Sequence, residues 1–296
     1  MQARTAGSPT VWHSAGAEVR RWMLGQRNRD GGWGYRPGRP SRLEPTCWAL
    51  LATATPDRQV LEGWPRRDGL PVEGPSGAVN IAFAGLAAFT GFSGRAETHG
   101  FAEGVVRALG AVRGVRLASS EEVRQDNSLQ GWPWMTDTFT WVEPTAWCLL
   151  ALKRWRRLGG RASWLAARVD AGEAVLADRA IPTGGWNYGN PVVNGKVLSA
   201  FAPTTVVALL ALRDRPRDPA VARSLQWLAS HRLTETSGSA LGLVALCLER
   251  FGVDGGTVRD RLVKSLDGVL GRGDVVAASH IGVALAGTEA DDAFAL

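Results

Sequence analysis

The chain alternates two kinds of helical segment, and that alternation restricts its architecture more than any single motif. One kind is amphipathic. Apolar residues return at helical spacing in "DPAVARSLQWLASHR" (Val221, Leu225, Leu228) and in "GTVRDRLVKSLDGVL" (Val258, Leu262, Leu266, Val269), so only one face seeks cover. The other kind, such as Thr145 to Leu152 or Ser237 to Leu248, is apolar nearly all round and needs protein on every side. Six apolar segments alternate with about six amphipathic ones. Two concentric layers satisfy both kinds, with inner helices enclosed by outer helices that keep one wet face. The sequence therefore predicts an all-α fold, an (α/α)6 toroid. It forms one domain over residues 1–296, with helical repeats from about Ala17 to Gly287, a short N-terminal extension and an acidic C-terminal tail. β-Branched alternation is almost absent, and the Gly/Pro runs are loops.

The layers are joined by turns that share a vocabulary. "DGGWGY" precedes "EPTCWALLA", "QGWPWMTDTFTW" precedes "EPTAWCLLALKRW", and "TGGWNYGN" precedes "APTTVVALLALRD". Pro45 and Pro144 fit the first helical position, which makes Glu44 and Glu143 the expected N-caps. Gln26, closing the first outer helix, is placed to meet orphan carbonyls or the next turn's N–H groups, and Gly31 and Gly32 allow a tight reversal. The chain carries 13 Trp against 2 Tyr. Trp33, Trp134 and Trp186 are expected to lie as flat staples over the helix junctions. The longest loop, Gly114 to Glu143, is Trp-rich and is expected to cap one end of the barrel.

Bulk features narrow the function. The net charge of +6 comes from arginines on helix faces, without a nucleic-acid-binding motif around them. An Arg-rich rim leaves peripheral contact with an anionic membrane surface as a further expectation. Cys47, Cys148 and Cys247 are far apart in apolar runs and read as small core residues of a reducing compartment. With no apolar leader and no stretch of about 18 apolar residues, a cytoplasmic location is expected.

On these residues the chain resembles the terpenoid cyclase and protein prenyltransferase toroids, most closely the prenyltransferase/squalene oxidase repeats of squalene-hopene-type cyclases. "GQRNRDGGWGY" is similar to that family's Gln-Trp motif, and three repeats carry the likeness strongly. The resemblance implies a central cavity for an isoprenoid or similar apolar substrate, with protonation by the middle aspartate of an Asp-x-Asp-Asp-Thr-Ala motif. Laid on "WVEPTA", that motif places Glu143 in the middle position, Trp141 and Pro144 on the other two aspartates, and Thr145 and Ala146 on the Thr-Ala.

Glu143 is thus the first candidate acid, with Asp137 and Glu44 in support. Helix placement favours the ionised carboxylate and apolar enclosure the protonated one, so the sequence leaves the protonation state open. Trp132, Trp134, Phe139, Trp141, Trp186 and Tyr188 are the candidate wall of a cavity that stabilises cations or holds an apolar chain, and His280, at the start of the last inner helix, is a supporting polar group. The string "EADDAFAL" matches the cyclase motif by letters at Asp291 but follows the last inner helix, and reads as a fraying tail. No metal or cofactor is expected. His280 and Cys247 lack a second soft ligand for zinc, no Asp-rich magnesium motif opens a helix, and no Gly-Cys-Gly-Glu-Gln thioester stretch is present. The alternative function is a non-catalytic, degenerate toroid serving as a lipid-binding or protein-interaction scaffold.

Overall fold

The computed structural model describes residues 7–55, 59–74, 76–93, 99–286 and Phe294. Among the described residues the inner helices are α2 (Leu43–Ala52), α4 (Ile81–Gly91), α6 (Val142–Arg157), α8 (Ala202–Ala211), α10 (Gly238–Arg250) and α12 (Val275–Leu285). Each packs against the next, and α12 packs back on α2, which closes the ring. Around it lie α1 (Pro9–Gly25), α3 (Gln59–Glu62), α5 (Gly100–Ala111), α7 (Leu165–Asp178), α9 (Pro219–His231) and α11 (Gly256–Gly271). The fold is the (α/α)6 toroid that the alternation demands.

Two departures have local causes. The first outer helix starts at Pro9, well before Ala17, because Ser8 is extended and its Oγ accepts from Val11 N at 3.4 Å, while Pro9 is preset for a first turn. The second outer helix is a single turn, and the hairpin of β1 (Arg66–Arg67) and β2 (Leu70–Pro71) packs against α4 and α5 in that sector. A second hairpin pairs β3 (Val192–Val193) with β4 (Lys196–Val197).

The ring is tight enough to need glycine. A Cβ on Gly85 of α4 would lie 2.8 Å from the backbone of Trp147 and Cys148 in α6, and one on Gly242 of α10 would lie 2.7 Å from the backbone of His280 in α12. Cys47, Cys148 and Cys247 are all buried in inner helices.

Inner helices begin in two ways. α4, α10 and α12 use side-chain caps: Asn80 accepts from Phe83 N, Ser237 from Ala240 N and Asp274 from Ala277 N. α2, α6 and α8 have Arg42, Trp141 and Phe201 at the N-cap, none with a side-chain cap bond. In their place a threonine one turn in grips the preceding Gly-Trp turn. The backbone N–H of Trp33 donates to Thr46 Oγ1 at 2.9 Å, that of Trp132 to Thr145 Oγ1 at 3.0 Å, and that of Trp186 to Thr205 Oγ1 at 2.9 Å. The indole N–H of each tryptophan reaches the other way, to the last turn of the preceding outer helix: Met23 O, Leu109 O and Leu176 O at 2.7, 2.9 and 2.7 Å. One side chain thus supplies the donor an outer helix lacks at its C-terminus.

These bonds correct three expectations. In the third repeat the staple is Trp132, not Trp134, because only Trp132 occupies the position after the turn glycine that Trp33 and Trp186 share. Trp33 Nε1, together with the backbone N–H of Gln26, meets the Met23 carbonyl, and Asp30 Oδ1 accepts from Gly32 N in the turn. Glu44 and Glu143 are second helical residues rather than caps. The prolines sit one position later, still inside the first turn, whose N–H groups have no intrahelical partner.

Thr145→Val keeps the shape but leaves the buried Trp132 N–H without an acceptor. It should cost about 1–3 kcal/mol in urea unfolding, with Thr145→Ser close to wild type. Equal midpoints for the Val and Ser variants would contradict the staple.

Candidate functional site

All the inner helices start at one end of the ring, and the chain seals that mouth with a second repeated bond. The residue two beyond each stapling tryptophan offers its carbonyl to the first N–H of a neighbouring inner helix. Val275 N donates to Tyr35 O, Ile81 N to Trp134 O and Val142 N to Tyr188 O, at 3.3, 2.9 and 3.0 Å. The aromatic side chains of Tyr35, Trp134 and Tyr188 are thereby fixed around the mouth. Tyr188 packs on Phe201 with ring centroids 5.1 Å apart, and Phe139 on Trp141 at 4.8 Å. Tyr35, Phe139, Tyr188 and Phe201 are exposed, a rim of aromatic surface open to a ligand.

Within this rim stand the carboxyls. Glu44 and Glu143 occupy the first turns of α2 and α6, helices separated in the ring by α4, so the repulsion between them acts across the mouth. Burial pushes the Glu143 carboxyl up to about 7, and the Glu44 charge adds to the shift. The indole of Trp147, one turn along the same helix, donates to Glu143 and opposes it. Glu44 is also raised by burial. Tyr35 donates to its Oε2 at 2.7 Å and pulls the other way, while Glu73 and Asp274 raise it further. Burial raises the Tyr35 hydroxyl, and its bond to Glu44 adds to that. Glu73 accepts from Leu43 N at 2.7 Å and pairs with Arg42 at 3.4 Å.

A groove of about 440 Å³ opens beside this cluster, lined by Tyr35, Arg42, Glu73, Phe83, Trp134 and Met135 among others. It adjoins a groove of about 630 Å³, lined by Arg67, Asp68, Arg113 and Asp137, along shared walls at Ala78, Val79 and Met135. Asp137, proposed beside Glu143, belongs to this outer groove, exposed on the loop with φ 63°.

Below the mouth the ring interior is aromatic. Trp48 of α2 and Trp147 of α6 meet edge to face at 5.5 Å, and Phe89 of α4 lies 6.3 Å from Trp147. His280 sits mid-helix in α12, not at its start, and meets Trp48 at 4.1 Å. Its Nδ1 shares a 2.7 Å hydrogen bond with Ser239, and burial pushes its pKa down to about 3. Phe294 is buried among these rings, 1% exposed; the rest of the expected acidic tail, Glu289 to Ala293 with Asp291, and Ala295 and Leu296, lies outside the described residues.

The loop tryptophans thus divide. Trp132 and Trp186 are fully buried staples between the layers, with the Arg168 guanidinium 3.8 Å over the Trp132 ring, and leave no face for a ligand. Trp134, Trp141, Phe139 and Tyr188 are at the mouth. Trp48 and Trp147 carry a signal in the repeated phrase: Glu-Pro-Thr-x-Trp sets Glu44 and Trp48, and Glu143 and Trp147, four apart on one helix face. Among the described residues no group of three or more His, Cys, Asp or Glu side chains is arranged to hold a metal, and no helix is long and apolar enough to cross a membrane.

Fold and site together define an α/α toroid with acidic side chains at the mouth of an aromatic ring. That fold is shared with type II terpene cyclase MstE from Scytonema. Its apo structure aligns over 88% of this chain and 80% of that chain (TM-score 0.51, 14% identity). Its complex with geranylgeranyl dihydroxybenzoate aligns over 89% and 79% (TM-score 0.50, 13% identity). A glycosidase in complex with glucose aligns over 96% of this chain and 98% of that chain (TM-score 0.54, 12% identity). No family model and no curated protein sequence matches the chain.

The Glu143 shift fixes a pH dependence. A carboxyl that titrates near 7 when folded, against 4.5 ordinarily, binds its proton more tightly in the folded state. Folding stability should therefore fall as pH rises from about 4.5 through 7. Glu143→Gln should remove that residue's share of the decline, leaving those of Glu44 and Glu73, so thermal melts at pH 5 and pH 8 should show the variant gaining on wild type at the higher pH. The same difference at both pH values would refute the assignment.

Proposed function

We propose that the toroid admits an isoprenoid or similar apolar substrate at its mouth and that Glu143 initiates reaction by protonating an alkene. The observation that carries this is the carboxyl itself, titrating near neutrality beside Trp147 at the mouth of an aromatic ring. At pH 7 about half of such a group is protonated, and only that form donates. In the step, the Glu143 O–H bond breaks, its proton forms a C–H bond at one alkene carbon, and the cation develops on the other. Glu143 is left as a carboxylate, and a later proton loss to it or to water closes the balance. Trp147, Trp48 and the rim aromatics offer ring faces to the cation. Glu44, held by Tyr35, raises Glu143's proton affinity through the repulsion between the two carboxylates. The shared fold of the terpene cyclases supports this reading.

A second reading rests on the paired carboxyls. The glycosidase toroid aligns over nearly its whole length, and an acid and a base facing one another are what hydrolysis of a glycosidic bond requires.

Incubation with farnesol, geranylgeraniol, squalene and the corresponding diphosphates, followed by gas chromatography and mass spectrometry, should give a cyclised product. Glu143→Gln should lower its rate by about 10²–10⁴-fold, and the wild-type rate should decline above pH 7. Release of sugar from aryl glucosides, lost in the same variant, would transfer the site to the second reading. No conversion of either class, with ligand binding unchanged in Glu143→Gln, would overturn both and leave a binding scaffold.

A further inference from the structure

The interior of the ring contains a buried polar atom that the protonation step does not use. His280 is 5% exposed, its Nδ1 is taken by Ser239, and its Nε2 has no hydrogen-bond partner among the described residues. A buried polar atom left in this state is costly unless something visits it. The imidazole is neutral, so Nε2 presents either one donor or one acceptor. Trp48, which His280 meets edge to face, also carries the Phe294 ring, stacked on it at 6.4 Å with 25° between planes and tilted against Phe89 at 5.1 Å.

Phe294 differs from the other members of this cluster. Trp48, Phe89, Trp147 and His280 belong to inner helices and are fixed by the ring, whereas Phe294 comes from beyond α12. Its described polar tie is the 3.0 Å bond from Arg213 Nη1 to its carbonyl oxygen. Arg213 follows α8, so the phenyl enters from the end opposite the acidic mouth.

We infer that the slot between Trp48 and Phe89 is a binding site for a flat unsaturated group, an aryl ring or an isoprenyl unit, carrying one polar substituent that bonds His280 Nε2, and that Phe294 is its resident occupant. This deepens the proposed function, because an apolar substrate reaching into the ring must displace Phe294. The phenyl holds the slot in the empty protein, and a ligand gains the polar bond that phenyl cannot make. The apparent affinity of wild type is reduced by the fraction of molecules in which Phe294 is in place.

Binding of farnesol and 4-propylphenol, followed by tryptophan fluorescence, tests this on the full chain. Phe294→Ala should bind both on the order of tenfold to a hundredfold more tightly than wild type, the competition expected from one buried phenyl. In that background His280→Phe, which keeps a ring but removes the polar atom, should erase the preference for 4-propylphenol over propylbenzene. Hydrogen exchange on wild type supplies a reading independent of variant folding: the peptide containing Phe294 should exchange faster when farnesol is bound. Unchanged affinity in folded Phe294→Ala, or unchanged exchange at saturating ligand, would overturn the inference. Because the readout is binding, failure of turnover leaves it standing. Conversely, turnover lost in Glu143→Gln with no effect of Phe294→Ala on binding would sink this inference alone.

Discussion

The threonine hydroxyl that grips a Gly-Trp turn is the interaction on which the ring depends. Thr46, Thr145 and Thr205 each accept a tryptophan backbone N–H and also lie within hydrogen-bond distance of that tryptophan's carbonyl. Through the indole N–H the same tryptophan ties down the preceding outer helix. Outer helix, turn and inner helix are therefore one hydrogen-bonded unit. The inner helix starts without a capping side chain, which releases its first turn for other uses. In α2 and α6 that position carries glutamate, and in α8 it carries Pro203.

Much of this can be read in the sequence, and the misreadings share physical causes. The alternation of one-faced and all-apolar helices specifies two layers because removing apolar surface from water is the strongest force favouring the folded chain, and the structure follows it. Helix starts are harder: proline fits anywhere in the first turn, so Pro45 and Pro144 cannot fix the N-cap to the residue. Spacing from the turn glycine identifies Trp132 as the staple, while the neighbouring Trp134 is chemically identical and goes to the mouth. His280 reads as the start of the last inner helix, yet Asp274 caps α12 six positions before it. Phe294 is hidden by composition. A single phenyl in an acidic string gives no periodicity, and its burial depends on a slot made by residues from α2 and α4, distant in sequence.

At the mouth two opposing fields meet. The inner helices point the positive ends of their dipoles toward it, which favours anions. Enclosure by protein favours protons on Glu44, Glu73 and Glu143, and neighbouring carboxylates add to it at Glu44 and Glu143. Burial is the largest cause in the shifts of Glu44, Glu73 and Glu143, so enclosure prevails, most fully at Glu143, where no cation and no tyrosine compensates it. Glu73 has Arg42 and the Leu43 N–H, and Glu44 has Tyr35.

Closure of the ring by α12 has a consequence for how the chain reaches this state. Every inner helix needs two inner neighbours, and α2, the first made, finds one of them only in α12, the last, which also receives α1. Until then the growing chain presents two raw apolar edges, one at each end of an incomplete arc. Those edges would attract each other, or the edges of another nascent copy. Although every element is a helix, whose contacts with its sequence neighbours form quickly, the closing step joins segments at maximal separation along the chain and carries the loop-closure entropy of nearly the whole polypeptide. The ring should behave as an arch, gaining its rigidity with its final member and losing it when that member comes away.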